Sequence, residues 1–291
     1  MSILLQKMRN KVLKKIYTIP LIKYQDDLTY QSAIKNHIHN LPPLPKFDRE
    51  ILAKITSEGV VITSLAELAI SATSDLLVAA QNIIPKISAI SPQKNDFVIH
   101  ATDQDIIDYP AIFYWGLEQR LLNIVENYLG LPPSYNGVYF RRDIPHHIEQ
   151  GSRLWHIDTE DRKILKIIIY LNDIHEDTGP FEYIPYDLSL EIVKALKYTS
   201  GYIPEERMRN IISPNNYKSC MGASGTVIFA ATGSIFHRGK SPIAGDRLAI
   251  FFDYSSLRQK KRYYLPSSLS RQDLLILSAN LSASQKQCIY C

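Results

Sequence analysis

Three short runs in the second half of the chain constrain its fold most. Residues 164–171 (ILKIIIYL), 225–231 (GTVIFAA) and 247–254 (RLAIFFDY) are β-branched or aromatic for most of their length. Turn residues separate them: Asp177, Thr178, Gly179 and Pro180 follow the first, and Ala244, Gly245 and Asp246 precede the third. Apolar runs this short, bounded by turns, read as strands buried in a β sandwich or barrel.

The first half has a different rhythm. Residues 1–46 combine a basic N-terminal helix with an arm containing Pro20, Pro42, Pro43 and Pro45. From Asp48 the spacing of Ile51, Leu52 and Ile55 is helical, with a break near Gly59. Leu65, Leu68 and Ala69, then Leu76, Leu77 and Ala80, continue that spacing until Pro85 and Pro92 end it. Residues 111–129 read as one further helix, closed by Gly130, Pro132 and Pro133. The expected division is therefore residues 1–46 as helix and arm, 47–134 as a mainly helical region, 135–255 as the β core, and 256–291 as a C-terminal extension. The fold class is α+β, with N-terminal helices flanking the core.

Composition removes several classes. Hydrophobic residues make up 45% of the 291, so the chain is not disordered. A net charge of +4 is too small to point to nucleic acid, and no nucleic-acid partner is expected. Arg258, Lys260, Lys261 and Arg262, followed by Tyr263 and Tyr264, accordingly read as a solvated basic segment. Cys220, Cys288 and Cys291 form no disulfide framework, which favours a reducing, cytoplasmic setting. Cys288 and Cys291 make a C-X-X-C with no second pair to complete a zinc site, and read as a frayed tail. No apolar run approaches the ~20 residues that span a bilayer. In residues 1–17, Leu4, Leu5, Met8, Val12, Leu13 and Ile16 share a helical face beside five basic residues. That pattern suits weak peripheral contact with an anionic membrane, and equally a helix docked on its own domain.

Chemistry concentrates at His156 and Asp158. On a strand, positions i and i+2 share a face, so an imidazole and a carboxylate converge on one ion. His237, just beyond the run 225–231, is the best third ligand. Two histidines and one carboxylate on one side of an octahedron leave three positions open, which suits non-haem Fe(II) binding O2 and a co-substrate together. Arg247, ten residues after His237, opens the next strand. Its planar fork matches a carboxylate bidentately, as anchoring the distal carboxylate of 2-oxoglutarate requires.

Five stretches carry a resemblance: Trp155 to Asp158, Leu165 to Leu171, Asp177 to Phe181, Phe236 to Gly239, and Arg247 to Tyr254. In order and spacing they resemble the phytanoyl-CoA dioxygenase family over about residues 135–255, and more loosely over 48–130. The resemblance implies an Fe(II)/2-oxoglutarate-dependent dioxygenase on a double-stranded β-helix, a jelly roll. It implies His156, Asp158 and His237 as iron ligands and Arg247 as the 2-oxoglutarate anchor. Asp158 itself points to hydroxylation, since halogenating relatives carry a small residue there. The substrate implied is a small or acyl-type organic molecule, with release of succinate and CO2. Where many relatives have a Pro-Gly-Ser-His turn, this chain has Ile184, Pro185, Tyr186 and Asp187.

Other residues are secondary. Tyr139 and Arg141 alternate onto one strand face and are expected to help hold the co-substrate or an anionic substrate; Arg141 reads otherwise as a surface ion pair. Lys166 interrupts an apolar strand and either binds a carboxylate or points to solvent. Trp155 is expected in the core, and Gly239 in a tight turn. His37 and His39 have ligand-like spacing without partners nearby in sequence. Gly239, Lys240 and Ser241 resemble the end of a phosphate loop, but Ser234 stands where a glycine is required and Pro242 breaks the following helix. A zinc hydrolase would use the same triad but leaves Arg247 without a role. The alternative to an enzyme is a degenerate jelly roll serving as a binding or membrane-associated module.

Overall fold

The computed structural model describes residues 19–258 and 269–289. The basic segment 1–17, the residues 259–268 and Cys291 lie outside this range, and with them the membrane contact and the second half of the C-X-X-C.

Among the described residues nine strands form two antiparallel sheets: β1 (Val60–Ser64), β2 (Val98–His100), β3 (Pro133–Asp143), β4 (Leu165–Tyr170), β5 (Phe181–Tyr183), β6 (Lys218–Cys220), β7 (Thr226–Ala230), β8 (His237–Gly239) and β9 (Arg247–Ser256). The larger sheet has the order β1-β7-β4-β9-β3-β2, the smaller β6-β5-β8. Together they make the jelly-roll core expected for residues 135–255. The core also takes its two edge strands, β1 and β2, from the region read as mainly helical. At five and three residues these strands are too short to show a period, and flanking helices mask them.

The strands lack polar alternation because both faces of the large sheet are covered. Leu165, Ile167 and Ile169 of β4, with Val227 and Phe229 of β7 and Ile250 and Phe252 of β9, pack against the helices. Ile168, Tyr170, Ile228, Ala230 and Ala249 face the other way, toward Phe181 and Tyr183 of the small sheet. A third apolar group, including Trp155, Ile184, Ile192 and Phe236, lies under the helix Tyr186–Leu196. Trp155 is fully buried there, as expected.

The helices on the outer face are α1 (Pro20–His37), α2 (Lys46–Glu58), α3 (Leu65–Leu68), α4 (Thr73–Ala89), α5 (Asp103–Asp108), α6 (Ala111–Trp115) and α7 (Gln119–Leu129). Gly59 and Gly130 end α2 and α7 in the left-handed conformation, at φ 87° and 72°. Several expectations change. The arm expected over residues 20–46 is for most of its length the helix α1. Pro85 does not end α4, because Ile83 and Ile87 on either side are buried and hold the helix through it. The helix expected over 111–129 is two, parted at Gly116, whose carbonyl accepts a hydrogen bond from Tyr254 Oη at 2.6 Å. A Cβ at Gly116 would lie 2.6 Å from both Tyr135 Oη and Phe252 Cδ1, so glycine is required there. Nor is the C-terminus frayed at Cys288: it is buried in a helix, Ala283–Ile289, packed on the main core. No helix among the described residues is long and apolar enough to cross a membrane.

Candidate metal centre

His156 lies in the extended segment after Leu154 and pairs with the first residue of β8. The two backbones exchange hydrogen bonds, His156 N to His237 O at 3.1 Å and His237 N to His156 O at 3.0 Å. Asp158 N donates to Thr232 O at 3.0 Å, fixing the same segment two residues on. Two loops that are far apart in sequence are thereby locked side by side, and their side chains meet. The imidazole centroids are 4.2 Å apart. Asp158 Oδ1 is 3.6 Å from His156 Nε2, and Oδ2 is 3.8 Å from His237 Nε2. One donor atom from each of the three residues lies within 4.8 Å of the others.

Hydrogen bonding fixes the tautomers. Nδ1 of His156 contacts the Leu154 carbonyl at 2.8 Å, and Nδ1 of His237 the Ile235 carbonyl at 3.2 Å. A carbonyl only accepts, so each Nδ1 carries the proton and each Nε2 presents a lone pair toward Asp158. Electrostatics agree. Burial, reinforced by neighbouring His156, pushes His237 down to about 3. Burial also lowers His156, with Lys166 adding to it. Asp158 is buried, which alone would raise it, but the Lys166 ammonium and the two histidines hold it well below the carboxylate range. Neutral imidazoles and an ionised carboxylate are the forms that ligate a cation. The donor set fits a divalent metal.

The pH dependence of the metal-free protein follows. His237 takes a proton near pH 6.5 when unfolded but only near 3 when folded. The unfolded chain therefore binds more protons between these values, and its stabilisation is full above pH 6.5 and lost as pH falls toward 3. Urea unfolding from pH 7.5 to 5 should show stability falling by up to about 1.4 kcal/mol per pH unit from this group. An unchanged slope in His237→Gln would refute the assignment.

A cavity of about 290 Å³ opens in front of the triad. Tyr139, Arg141 and Lys166 all line it. Arg141 is neither a surface group nor free: Nε is 3.0 Å from Asp143 Oδ2, and the guanidinium lies 4.2 Å from the Phe251 ring centroid. Lys166 does not point to solvent. Its Nζ is 2.6 Å from Asp158 Oδ2, and the Asp158 and Asp253 carboxylates hold it charged against burial.

Arg247 is placed differently from its neighbours. It is 1% exposed and is not a lining residue. Nε and Nη2 donate to Asp143 Oδ2 at 3.2 and 3.0 Å, and Nη1 donates to the Gly179 carbonyl. It sits directly behind Gly239. A Cβ on Gly239 would lie 2.6 Å from Arg247 Nη2. Gly239 is therefore needed for this close approach and lies in β8, not in a tight turn.

Sequence reasoning missed several lining residues, among them His100, Glu160, Tyr202 and Asp253. Asp253 carried a signal, since it interrupts an apolar strand as Lys166 does. Tyr202, whose ring is 5.0 Å from His156, comes from an irregular loop and carried none. His37 and the phosphate-loop resemblance find ordinary partners: His37 Nε2 lies 2.6 Å from Glu126, and Lys240 pairs with Glu176 and Glu182.

No protein-family model and no curated protein matches this sequence. Solved structures do. The epimerase SnoN, in complex with Fe3+, alpha-ketoglutarate and nogalamycin RO, aligns with a TM-score of 0.50 at 13% identity, over 73% of this chain and 84% of its own. HygX from Streptomyces hygroscopicus, with nickel and 2-oxoglutarate bound, gives 0.49 at 16%, over 74% and 88%. EctD from S. alaskensis, with 2-oxoglutarate and 5-hydroxyectoine, gives 0.49 at 17%, over 71% and 75%. What this chain shares with SnoN is the fold: a jelly-roll core with helices against its larger sheet.

Proposed function

We propose that the protein is an Fe(II)/2-oxoglutarate-dependent dioxygenase of the kind the phytanoyl-CoA dioxygenase resemblance implies, hydroxylating a C–H bond of a small molecule. The convergence of two imidazoles, each with Nδ1 held by a carbonyl, on one buried carboxylate carries this conclusion. His156, Asp158 and His237 would hold the iron. When bound, Fe(II) with 2-oxoglutarate and O2 supplies the oxidising power, releasing succinate and CO2. The chain's own residues do the rest. The carbonyls of Leu154 and Ile235 keep the imidazole lone pairs turned inward. Lys166 holds one oxygen of Asp158. Arg141 offers a cation to the co-substrate within the cavity, with Arg247 and Asp143 behind it. The β strands fix these groups, as a site handling a reactive oxidant needs. The fold shared with SnoN, an epimerase solved with Fe3+ and alpha-ketoglutarate, supports the co-substrate.

The test needs no substrate. Anaerobic protein loaded with Fe(II) and 2-oxoglutarate should develop a weak metal-to-ligand charge-transfer band in the visible. No band from folded protein with bound metal would refute the chelate and favour a jelly roll without this activity.

A further inference from the structure

The cavity is polarised along β9. Residues 247, 249, 251 and 253 alternate onto its inner face, as the strand period requires. At one end Arg247 faces Asp143 across the sheet, and Arg141 faces Ala249. At the other, Asp253 lies between Gly137 of β3 and Lys166 of β4. Four strand residues, ~13 Å, separate Ala249 from Asp253. The triad is tied to the Asp253 end through Lys166, whose Nζ is on Asp158.

Charge differs between these ends. Arg141 and Arg247 share the single carboxylate of Asp143, leaving a cation in excess. At the far end Asp253 and Glu160 face one ammonium, Lys166, which is already paired with Asp158. Asp253 makes no ion pair among the described residues, and its buried Oδ1 accepts no hydrogen bond. Gly137 opposite it has no side chain to fill the gap, and β3 bulges there between Tyr135 and Gly137. A buried carboxylate oxygen without a donor is costly unless a ligand supplies one. Burial and the nearby Asp158 and Glu160 already raise Asp253 to about 6, against the opposing effect of Lys166.

We propose that the substrate carries a protonated amine, and that Asp253, with Glu160 beside it, receives this ammonium at the end of the cavity opposite Arg141. The assignment rests on the oxygenase reading for calling this ligand a substrate, but not for the cation site itself. Ammonium and carboxylate would meet out of water, where the charge-assisted bond is strongest. An uncharged acyl chain would leave Asp253 Oδ1 without a donor, since Asn136 is the hydrogen-bond partner of the side chain but not of that atom.

The test uses the full chain with Zn(II) and 2-oxoglutarate, and separately without them. The probes are n-butylamine, n-butanol and butyrate, followed by saturation-transfer NMR and titration calorimetry. n-Butylamine should bind at least about tenfold more tightly than n-butanol, the worth of one hydrogen bond to a charge. Butyrate should be weakest at this end. Asp253→Asn should abolish the preference, and Glu160→Gln should reduce it, with Zn(II) still bound in both. Equal affinity for amine and alcohol in the wild type, or a preference that survives both substitutions, would overturn the proposal. Failure of the oxygenase reading would register elsewhere, as 2-oxoglutarate failing to bind the metal-loaded wild type whatever the amine does.

Discussion

Asp158→Ala protein should fold and fail to retain a divalent metal. Three ligands share the binding free energy, and protein metal sites reach about 10–16 kcal/mol in total. Losing one should cost about 3 kcal/mol or more, a factor on the order of a hundred or greater in affinity. Asp158 has a second effect that His237 lacks. Its Oδ2 is the ion-pair partner of Lys166 Nζ at 2.6 Å. Without the carboxylate that ammonium, next to His156 and His237, repels any incoming cation. Asp158→Ala should therefore lose more metal affinity than His237→Ala, although each removes one donor. Asp158→Asn keeps the shape and one oxygen donor but not the charge, and should fall between wild type and alanine. Titration with Co(II) under anaerobic conditions reads all three. Metal binding by Asp158→Ala within a few-fold of wild type would place the ion elsewhere. Succinate release should follow the metal, falling to background in Asp158→Ala.

The triad was legible because its geometry is mostly local. His156 and Asp158 are two residues apart on extended chain, and His237 lies next to a run that announces itself as a strand. The central strands β4, β7 and β9 were legible for a related reason: both their faces are buried, so the sequence is apolar throughout. The edges were not. Val60–Ser64 makes its case as a strand only through its pairing with Thr226–Ala230, a contact across more than half the chain. Gly116 reads as a helical residue until Tyr135 and Phe252 are packed against it. Side-chain direction was the least legible property. Arg141, Lys166 and Arg247 are all cations on core strands, yet Lys166 pairs with Asp158 while Arg141 and Arg247 share Asp143. Lys166 is held by Asp158, Arg141 leans on Phe251, and Arg247 turns to Asp143.

That last contact alters what Arg247→Ala should do. Read from sequence, the substitution only weakens 2-oxoglutarate. In the structure Arg247 is also half of a buried ion pair, and Asp143 is 2% exposed. Despite burial, Arg141 and Arg247 hold the Asp143 carboxyl below its ordinary range. Removing one partner of such a pair typically costs 3–5 kcal/mol, because the other charge stays buried. Arg141 remains 3.0 Å from Asp143, so the lower end, about 3 kcal/mol, is expected. Urea unfolding at pH 7.5 measures it. Adding Asp143→Asn should deepen that loss rather than recover it, since buried Arg141 then also loses its carboxylate. Affinity for 2-oxoglutarate gives the second readout, taken well below the unfolding transition with Zn(II) bound. If Arg247 reaches the co-substrate past Gly239, or fixes Arg141 so that Arg141 does, affinity should fall at least about tenfold. Arg247→Lys separates these effects: it keeps a cation for Asp143, but not the planar fork that matches a carboxylate. Stability lost in Arg247→Ala and regained in Arg247→Lys, with 2-oxoglutarate affinity unchanged throughout, would make Arg247 a structural cation. The anchor would then be Arg141 alone, the one of the two that faces the cavity.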